Sequence, residues 1–272
     1  MLRDITLGQY YPADSPIHKL DPRVKLFGTL LFIISLFIFK GIPSMVLAVL
    51  FLIGVIWISK VPFSFMVKGL KAIVILMVIT SVFNLFLTPG TALWTFWIFK
   101  ITEEGLKNTL LMLFRLTFLI IGTSIMTLTT TPNQLTDGLE KSMHSLNRVH
   151  VPVHEISMMM SIALRFIPIL IEETDKIMKA QMARGADFES GNIVKKAKAM
   201  VPLLVPLFVS AFRRANDLAM AMEARCYRGG EGRTKMKPLH YVKRDFMAYL
   251  IVIVYFAAMI VLRVLWTHYI AV

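Results

Sequence analysis

The sequence contains very little cysteine and fewer acidic than basic residues. Cys226 is the only cysteine in 272 residues, so no disulfide can form within the chain and no cysteine-based metal cluster is available. The 17 Asp and Glu residues face 30 Lys and Arg residues, and the formal net charge is +13. Basic residues do not alternate with aromatic ones as they do in single-strand binders, so we expect no nucleic-acid partner.

Two kinds of functional segment are also missing. Residues 1–23 are polar and interrupted by proline, and they lack the short apolar core and the cleavage site of a signal peptide. The sequence contains no Gly-x-x-x-x-Gly-Lys-Ser/Thr phosphate loop. We expect residues 1–23 to form an ordered arm, and we expect no cofactor, no metal and no catalytic residue on this chain.

Apolar residues, by contrast, are abundant. They make up 56% of the chain, and the mean hydropathy is +0.66. Because this is too apolar for a soluble domain and too charged for complete burial in lipid, the composition indicates an integral membrane protein with a sizeable aqueous part. The apolar runs that approach the length of a membrane span are residues 24–39, 42–59, 70–87, 105–128 and 246–266.

The charges between these runs predict their orientation. Eighteen of the 30 basic residues lie between Leu128 and Phe246, and the segments before residue 24 and after residue 59 are also basic. The segment 91–104 is rich in Trp, a composition typical of the water–lipid boundary, and its basic charge is balanced by acidic residues. The positive-inside rule therefore places the N-terminus and residues 131–245 in the cytoplasm and the C-terminus outside.

A short motif occurs twice in the predicted cytoplasmic region. Ala180–Gly185 and Ala221–Cys226 both read Ala-x-x-Ala-Arg followed by a small residue, and the two arginines, 184 and 225, lie 41 positions apart. Helices are expected at residues 133–147, 152–185 and 193–225, and the last two begin with an apolar half and end at these arginines. Each arginine either complements the negative end of its own helix or forms one prong of a paired contact.

Single polar residues in the N-terminal half suggest structural roles. Asp21 is expected to cap a helix that starts at Pro22, the favoured first position for proline. His18 has no second histidine, cysteine or carboxylate cluster at metal-ligand spacing, which favours a structural hydrogen bond. Arg115 lies inside the fourth run, where a charge is either functional or paired with a backbone carbonyl of a neighbouring helix. A standalone permease, with Arg115 and Asn84 on its substrate pathway, is the main alternative function.

An intramembrane enzyme is a further alternative. Its best residues would be His150, His154 and Glu155, together with Arg115. The segment resembles a scrambled metalloprotease signature, but Pro152 keeps the two histidines off one continuous helical face. The sequence therefore predicts neither a zinc site nor a convergent catalytic set.

Taken together, these residues resemble the transmembrane T component of energy-coupling factor (ECF) transporters along the whole chain. The segments that carry the resemblance are Gly8-Gln9-Tyr10, Ser15-Pro16-Ile17-His18, Leu20-Asp21-Pro22-Arg23-Val24-Lys25, Ala183-Arg184-Gly185 and Glu223-Ala224-Arg225-Cys226-Tyr227-Arg228-Gly229-Gly230. Cys226 departs from the family, which often has Gly or Ser there, and a left-handed backbone is less expected at this position than at Gly185.

The resemblance implies a non-catalytic coupling subunit of an ABC importer for vitamin or micronutrient uptake, in a prokaryotic cell membrane. In the family, two crossed coupling helices dock their tips onto two ATPase subunits, and a separate membrane-embedded S component binds the substrate. The ATPase-binding residues it implies are Ala183, Arg184, Gly185, Ala224, Arg225 and Cys226. The residues that we expect to contact the S component, in the apolar halves of the same helices, are Met158, Met159, Ile162, Phe166, Leu204 and Phe208.

The sequence and the resemblance together predict an all-α integral membrane protein. It would have about five transmembrane helices and a cytoplasmic module of long crossed coupling helices. We divide it into an N-terminal arm (1–23), four transmembrane helices (24–130), the coupling-helix region (131–245) and a last transmembrane helix with an external C-terminus (246–272).

Overall fold

The chain is almost entirely helical. The computed structural model describes residues 9–38, 41–96, 99–143, 148–186, 188, 192–229, 236 and 238–270. In chain order the elements are α1 (Pro22–Ile38), α2 (Ile42–Ser59), α3 (Phe63–Leu87), β1 (Ala92–Phe96), β2 (Phe99–Thr102), α4 (Glu103–Thr129), α5 (Pro132–Met143), α6 (Val153–Ala183), α7 (Ile193–Ala224) and α8 (Lys243–Ile270). The three helices expected after residue 131 are confirmed as α5, α6 and α7.

Three of the described helices, α1, α4 and α5, begin where a side chain accepts a backbone N–H group. Asp21 accepts a hydrogen bond from the backbone N–H of Arg23 at 2.9 Å, which confirms the expected cap of α1. Thr102 accepts one from Gly105 at 3.0 Å and so caps α4. At α5, Thr131 and Gln134 exchange side-chain-to-backbone hydrogen bonds, the reciprocal pattern of a capping box.

The Trp-rich segment forms a β-hairpin. Strands β1 and β2 pair antiparallel, with Phe96 opposite Phe99 and Thr95 opposite Lys100. Strand β2 contacts α3 and α4, which are themselves extensively packed together. These strands are not expected from the sequence, because clustered aromatic residues are also typical of a segment at the water–lipid boundary.

Two compact units divide the chain, and the division falls within α5. One unit is Gly8–Gly138 with Leu239–Val272, and the other includes Leu139–Pro238. The core of the first unit is formed where α1, α2, α4 and α8 meet, and its fully buried side chains include Leu36, Met66, Leu128 and Met259. Within that core the hydroxyls of Ser35 and Tyr255 are hydrogen-bonded at 2.8 Å. In the second unit, α6 packs against α7.

Four of the described helices are long and apolar enough to span a membrane: α2, α4, α6 and α8. Helix α3 is a fifth if its two parts, which are bent by 60°, are one span. The total agrees with the expected five, but these helices include α6 and not the first apolar run. The described part of α1 has 17 residues, whereas α6 has 31, of which a long stretch is apolar.

The N-terminal arm is held by a buried polar network. His18 is hydrogen-bonded through Nδ1 to the Ser15 hydroxyl (2.7 Å) and through Nε2 to the Tyr11 carbonyl (3.0 Å), which confirms its structural role. Burial lowers the pKa of His18. The buried Lys25 ammonium donates to the carbonyls of His18 (3.2 Å) and Thr129 (2.8 Å) and so joins the arm to the end of α4.

Asp21 and Asp245 join the arm to α8. Burial by itself would raise the pKa of Asp21, but hydrogen bonds and charge attraction from Arg23 outweigh burial and lower it. The Arg23 guanidinium also lies 3.8 Å from the centre of the Tyr241 ring. Asp245 is buried and accepts backbone hydrogen bonds from Asp21 (2.9 Å) and Val242 (2.8 Å). One carboxylate therefore satisfies N–H groups from both ends of the chain.

Removing this carboxylate should destabilise the protein. In Asp245→Ala two N–H groups lose their acceptor, at a cost of about 1–3 kcal/mol, which corresponds to a loss of about 3–8 °C in Tm. Asp245→Asn keeps one carbonyl oxygen and should lose less. The measurement is thermal unfolding in detergent, with the exposed Asp217→Ala as control. Equal Tm values for Asp245→Ala and Asp217→Ala would contradict this role.

Candidate functional site

The two arginine motifs end α6 and α7 in the same backbone conformation. At the end of α6, the N–H of Ala186 donates to the Gln181 carbonyl and the N–H of Gly185 to the Met182 carbonyl, both at 3.0 Å. Gly185 has φ +90°, in the left-handed region that glycine tolerates. This pair of hydrogen bonds around a left-handed residue is a Schellman motif, with Arg184 as the C-cap.

The end of α7 repeats this arrangement 41 residues later. The N–H of Tyr227 donates to the Met222 carbonyl (3.0 Å) and the N–H of Cys226 to the Glu223 carbonyl (2.9 Å). Cys226 has φ +54°, so this position is left-handed although it is not glycine, contrary to what its side chain led us to expect. Arg225 therefore occupies the same C-cap position as Arg184.

Both arginine side chains extend from these ends into the surroundings. Arg184 and Arg225 are exposed, and within the part of the chain that the structure describes neither guanidinium group makes a hydrogen bond or an ion pair. Two carbonyl groups in the last turn of each helix, those of Gln181 and Met182 and those of Met222 and Glu223, accept backbone N–H groups. The arginines are thus available for an external carboxylate or carbonyl acceptor.

The apolar halves of α6 and α7 expose much of their hydrophobic surface. Of the six residues expected to contact another membrane component, three are exposed, namely Met159, Leu204 and Phe208, with 57%, 48% and 61% of their surface accessible. The other three, Met158, Ile162 and Phe166, are half-buried. These six residues lie within the second unit, and we call them the apolar face.

One ion pair connects the two helices between their apolar halves and their ends. The Nη2 of Arg214 in α7 donates to Oε2 of Glu173 in α6 at 3.2 Å. About a third of each side chain is exposed, so a pair of this kind contributes at most about 1 kcal/mol to stability. The sequence motifs alone do not identify this contact. The signal that points to it is the spacing of Glu173 and Arg214, which are 41 positions apart like the two arginines of the motif.

Arg115 has a backbone partner in a neighbouring helix. Its Nε donates to the Leu36 carbonyl at 2.9 Å, in the last turn of α1, and its guanidinium lies 5.3 Å from the centre of the Phe37 ring. Asn84 and Arg115 both line a cavity of about 350 Å³ in the first unit. This contact supports the structural interpretation of Arg115 over a functional one.

The residues of the enzyme alternative have separate local roles. His150 is exposed and has a left-handed backbone (φ +61°), and α6 begins only at Val153, so His150 and His154 do not share a helix. His154 is 3.0 Å from Glu140 through Nδ1, and the hydroxyl of Ser157 donates to the same carboxylate at 2.8 Å. Among the described residues, no three His, Cys, Asp or Glu side chains are placed to hold a metal ion.

Comparisons with known proteins identify relatives over nearly the whole chain. A family model described as CbiQ, cobalt transport protein, matches residues 13–236. A curated protein of Clostridium kluyveri is 55% identical over 98% of this chain and 99% of its own length. Similar proteins from Thermosediminibacter oceani (51%) and Bacillus subtilis (47%) each match 97% of this chain and their own full length. All three are named energy-coupling factor transporter transmembrane protein EcfT.

The helices able to span a membrane define a helical membrane protein, and its helices α6 and α7 end in matching capping motifs. The relatives define the kind of membrane protein more closely. The chain belongs to the family of transmembrane components of energy-coupling factor transporters. This family supports the transporter-subunit interpretation and gives no support to a standalone permease.

The backbone at residue 226 can be tested by substitution. Cys226→Gly removes the steric cost of a left-handed non-glycine residue, about 1–2 kcal/mol, whereas the β-branched side chain of Cys226→Val raises it. Amide hydrogen exchange in the peptide around Tyr227 should slow about fivefold or more in Cys226→Gly and accelerate in Cys226→Val. The equivalent peptide around Ala186 serves as internal control. Faster exchange in Cys226→Gly would contradict the left-handed assignment.

Proposed function

We propose that this subunit couples ATP hydrolysis by two ABC ATPase subunits to substrate release by a separate, membrane-embedded substrate-binding component. In this proposal the chain itself catalyses no reaction. Its ATPase-binding residues are Ala183, Arg184, Gly185, Ala224, Arg225 and Cys226. The N-terminus and residues 131–245 lie on the cytoplasmic side, in agreement with the charge distribution, and the apolar halves of α6 and α7 lie next to the membrane. The substrate is a vitamin or micronutrient.

The observation that carries the proposal is the equivalence of the two helix ends. Arg184 and Arg225 occupy the same position of the same capping motif, and both are exposed. A single arginine at a helix end has an ordinary explanation in the helix dipole. Two exposed arginines at equivalent helix ends, where the backbone already satisfies two carbonyls of each last turn, favour a partner with two matching acceptor sites, such as a pair of like subunits.

A forked contact suits the transmission of movement. Arginine and a carboxylate pair through two parallel hydrogen bonds with strict geometry, so displacement of the acceptor surface displaces the helix end as well. The helix then transmits that displacement along its length to its apolar half. Support for a membrane-embedded partner there comes from the exposed apolar face, since side chains such as Phe208 seldom remain uncovered on a protein that faces only water.

Charge reversal at the helix ends tests the ATPase contact. Arg184→Glu and Arg225→Glu should each weaken association with the ATPases, because loss of one partner of a hydrogen-bonded charge pair costs about 2–5 kcal/mol. The double variant should lose transport. The measurements are co-purification of the ATPases with the tagged subunit and substrate uptake by cells that express the complete transporter.

A matched control separates this contact from general electrostatics. Lys179→Glu makes the same charge change at an exposed position of α6 five residues before Arg184, and it should retain assembly and uptake. Arg184→Lys keeps the charge but loses the fork, so it should give an intermediate result. Unchanged assembly and uptake in the Arg184→Glu/Arg225→Glu variant would eliminate the proposed ATPase contact.

The apolar face can be tested separately from the helix ends. Phe208→Asp should reduce co-purification of the substrate-binding component at least about tenfold, because burial of a Phe side chain contributes about 1.5–3 kcal/mol and a carboxylate cannot replace it. ATPase co-purification should persist. Met220→Asp is the control, since Met220 is also 61% exposed but lies in the second half of α7. Loss of the ATPases without loss of the substrate-binding component would reassign this face.

A further inference from the structure

The ion pair between α6 and α7 joins equivalent positions of the 41-residue repeat. Glu173 and Arg214 are 41 positions apart, as are Arg184 and Arg225. The ends of the helices, Ala183 and Ala224, have the same spacing. The same 41-residue offset therefore relates the end motifs to each other and the two residues of the ion pair to each other, although Glu173 and Arg214 themselves differ.

A contact between equivalent positions has a geometric meaning. When two like elements are related by a two-fold axis, contacts occur in reciprocal pairs, and a residue meets its own equivalent only at the axis. The Glu173–Arg214 contact is the contact that such an axis would produce between α6 and α7. From this contact both helices run 11 further residues to their arginines, which is about 16 Å at the rise of an α-helix.

The repeat reverses its charge at this point. Glu172 and Glu173 in α6 correspond to Arg213 and Arg214 in α7. An identical pair of repeats would bring two like charges together at the axis, where each residue meets its own equivalent. At Glu173 and Arg214 the opposite charges convert that repulsion into the observed attraction.

We infer that the Glu173–Arg214 ion pair fixes the register of α6 against α7, so that Arg184 and Arg225 lie at equal distances from the helix contact. This inference rests on the proposed function and deepens it, because two like ATPase subunits would require equally long arms. Glu173 and Arg214 are positioning residues in this arrangement. They act through the helices and do not themselves contact the partner.

A charge swap tests the inference. Glu173→Arg and Arg214→Glu each create a like-charge pair, and each should lower uptake about fivefold, because an attraction is lost and a repulsion of similar size is gained. The double variant Glu173→Arg/Arg214→Glu restores an opposite pair, and uptake should return to within about twofold of the original level. It also shows that the substituted side chains themselves permit folding.

A distance measurement gives a readout that is independent of transport. Spin labels at Lys179→Cys and Met220→Cys, introduced with Cys226→Gly, occupy exposed equivalent positions, each six residues beyond the ion pair. In the assembled complex the distance distribution between them should be narrow, should broaden in each single reversal and should narrow again in the swap. Glu172→Arg and Arg213→Glu, at the exposed neighbouring positions, should leave the distribution and uptake unchanged.

The possible outcomes separate this inference from the proposed function. The inference would be overturned if uptake and the distance distribution in the charge swap were no closer to the original than in the single reversals. It would also be overturned if the reversals at the neighbouring positions changed uptake and distances as much. If Arg184→Glu still abolishes ATPase binding in that case, the proposed function stands without it. If Arg184→Glu leaves assembly intact, the proposed function fails, and the label distances alone decide whether Glu173 and Arg214 set the register.

Discussion

The hydrogen bonds that end α6 and α7 determine what their arginines can do. A helix leaves its last carbonyl groups unpaired, and a basic side chain nearby commonly satisfies them. Here the backbone N–H groups of residues 185 and 186, and of residues 226 and 227, satisfy two of those carbonyls in each helix. Arg184 and Arg225 hold the C-cap positions, but their guanidinium groups are not needed as donors to these carbonyls. This is the physical reason for proposing that the two guanidinium groups contact a partner.

Patterns that depend on neighbouring residues were readable from the sequence. Apolar runs, a Thr-Pro start and the paired Ala-x-x-Ala-Arg motif located α5, α6 and α7, and Asp21 before Pro22 located the start of α1. The isolation of His18 from other metal ligands predicted a structural hydrogen bond, which its contacts confirm. In each case the determining interaction is formed within a few residues, so local spacing contains the necessary information.

Other features depend on contacts that local spacing cannot reveal. Asp245 accepts a hydrogen bond from Asp21, 224 positions away, and Lys25 donates to Thr129, 104 positions away. The sequence allows Arg115 either a functional role or a backbone carbonyl partner in a neighbouring helix, and only the structure shows the partner in α1. The left-handed Cys226 was missed for a different reason, since its side chain disfavours that conformation and the surrounding hydrogen bonds impose it.

The α6–α7 repeat differs between its copies in a way that follows from where each part acts. At the ends each copy acts on its own, and the backbone conformation and the arginine are the same in both. Where the copies meet, identity would place like charges at the axis, and there the sequence changes from Glu to Arg. Two helices that hold two equivalent ends at a fixed distance therefore need the same residues at those ends. Where the helices contact each other, they need residues of opposite charge.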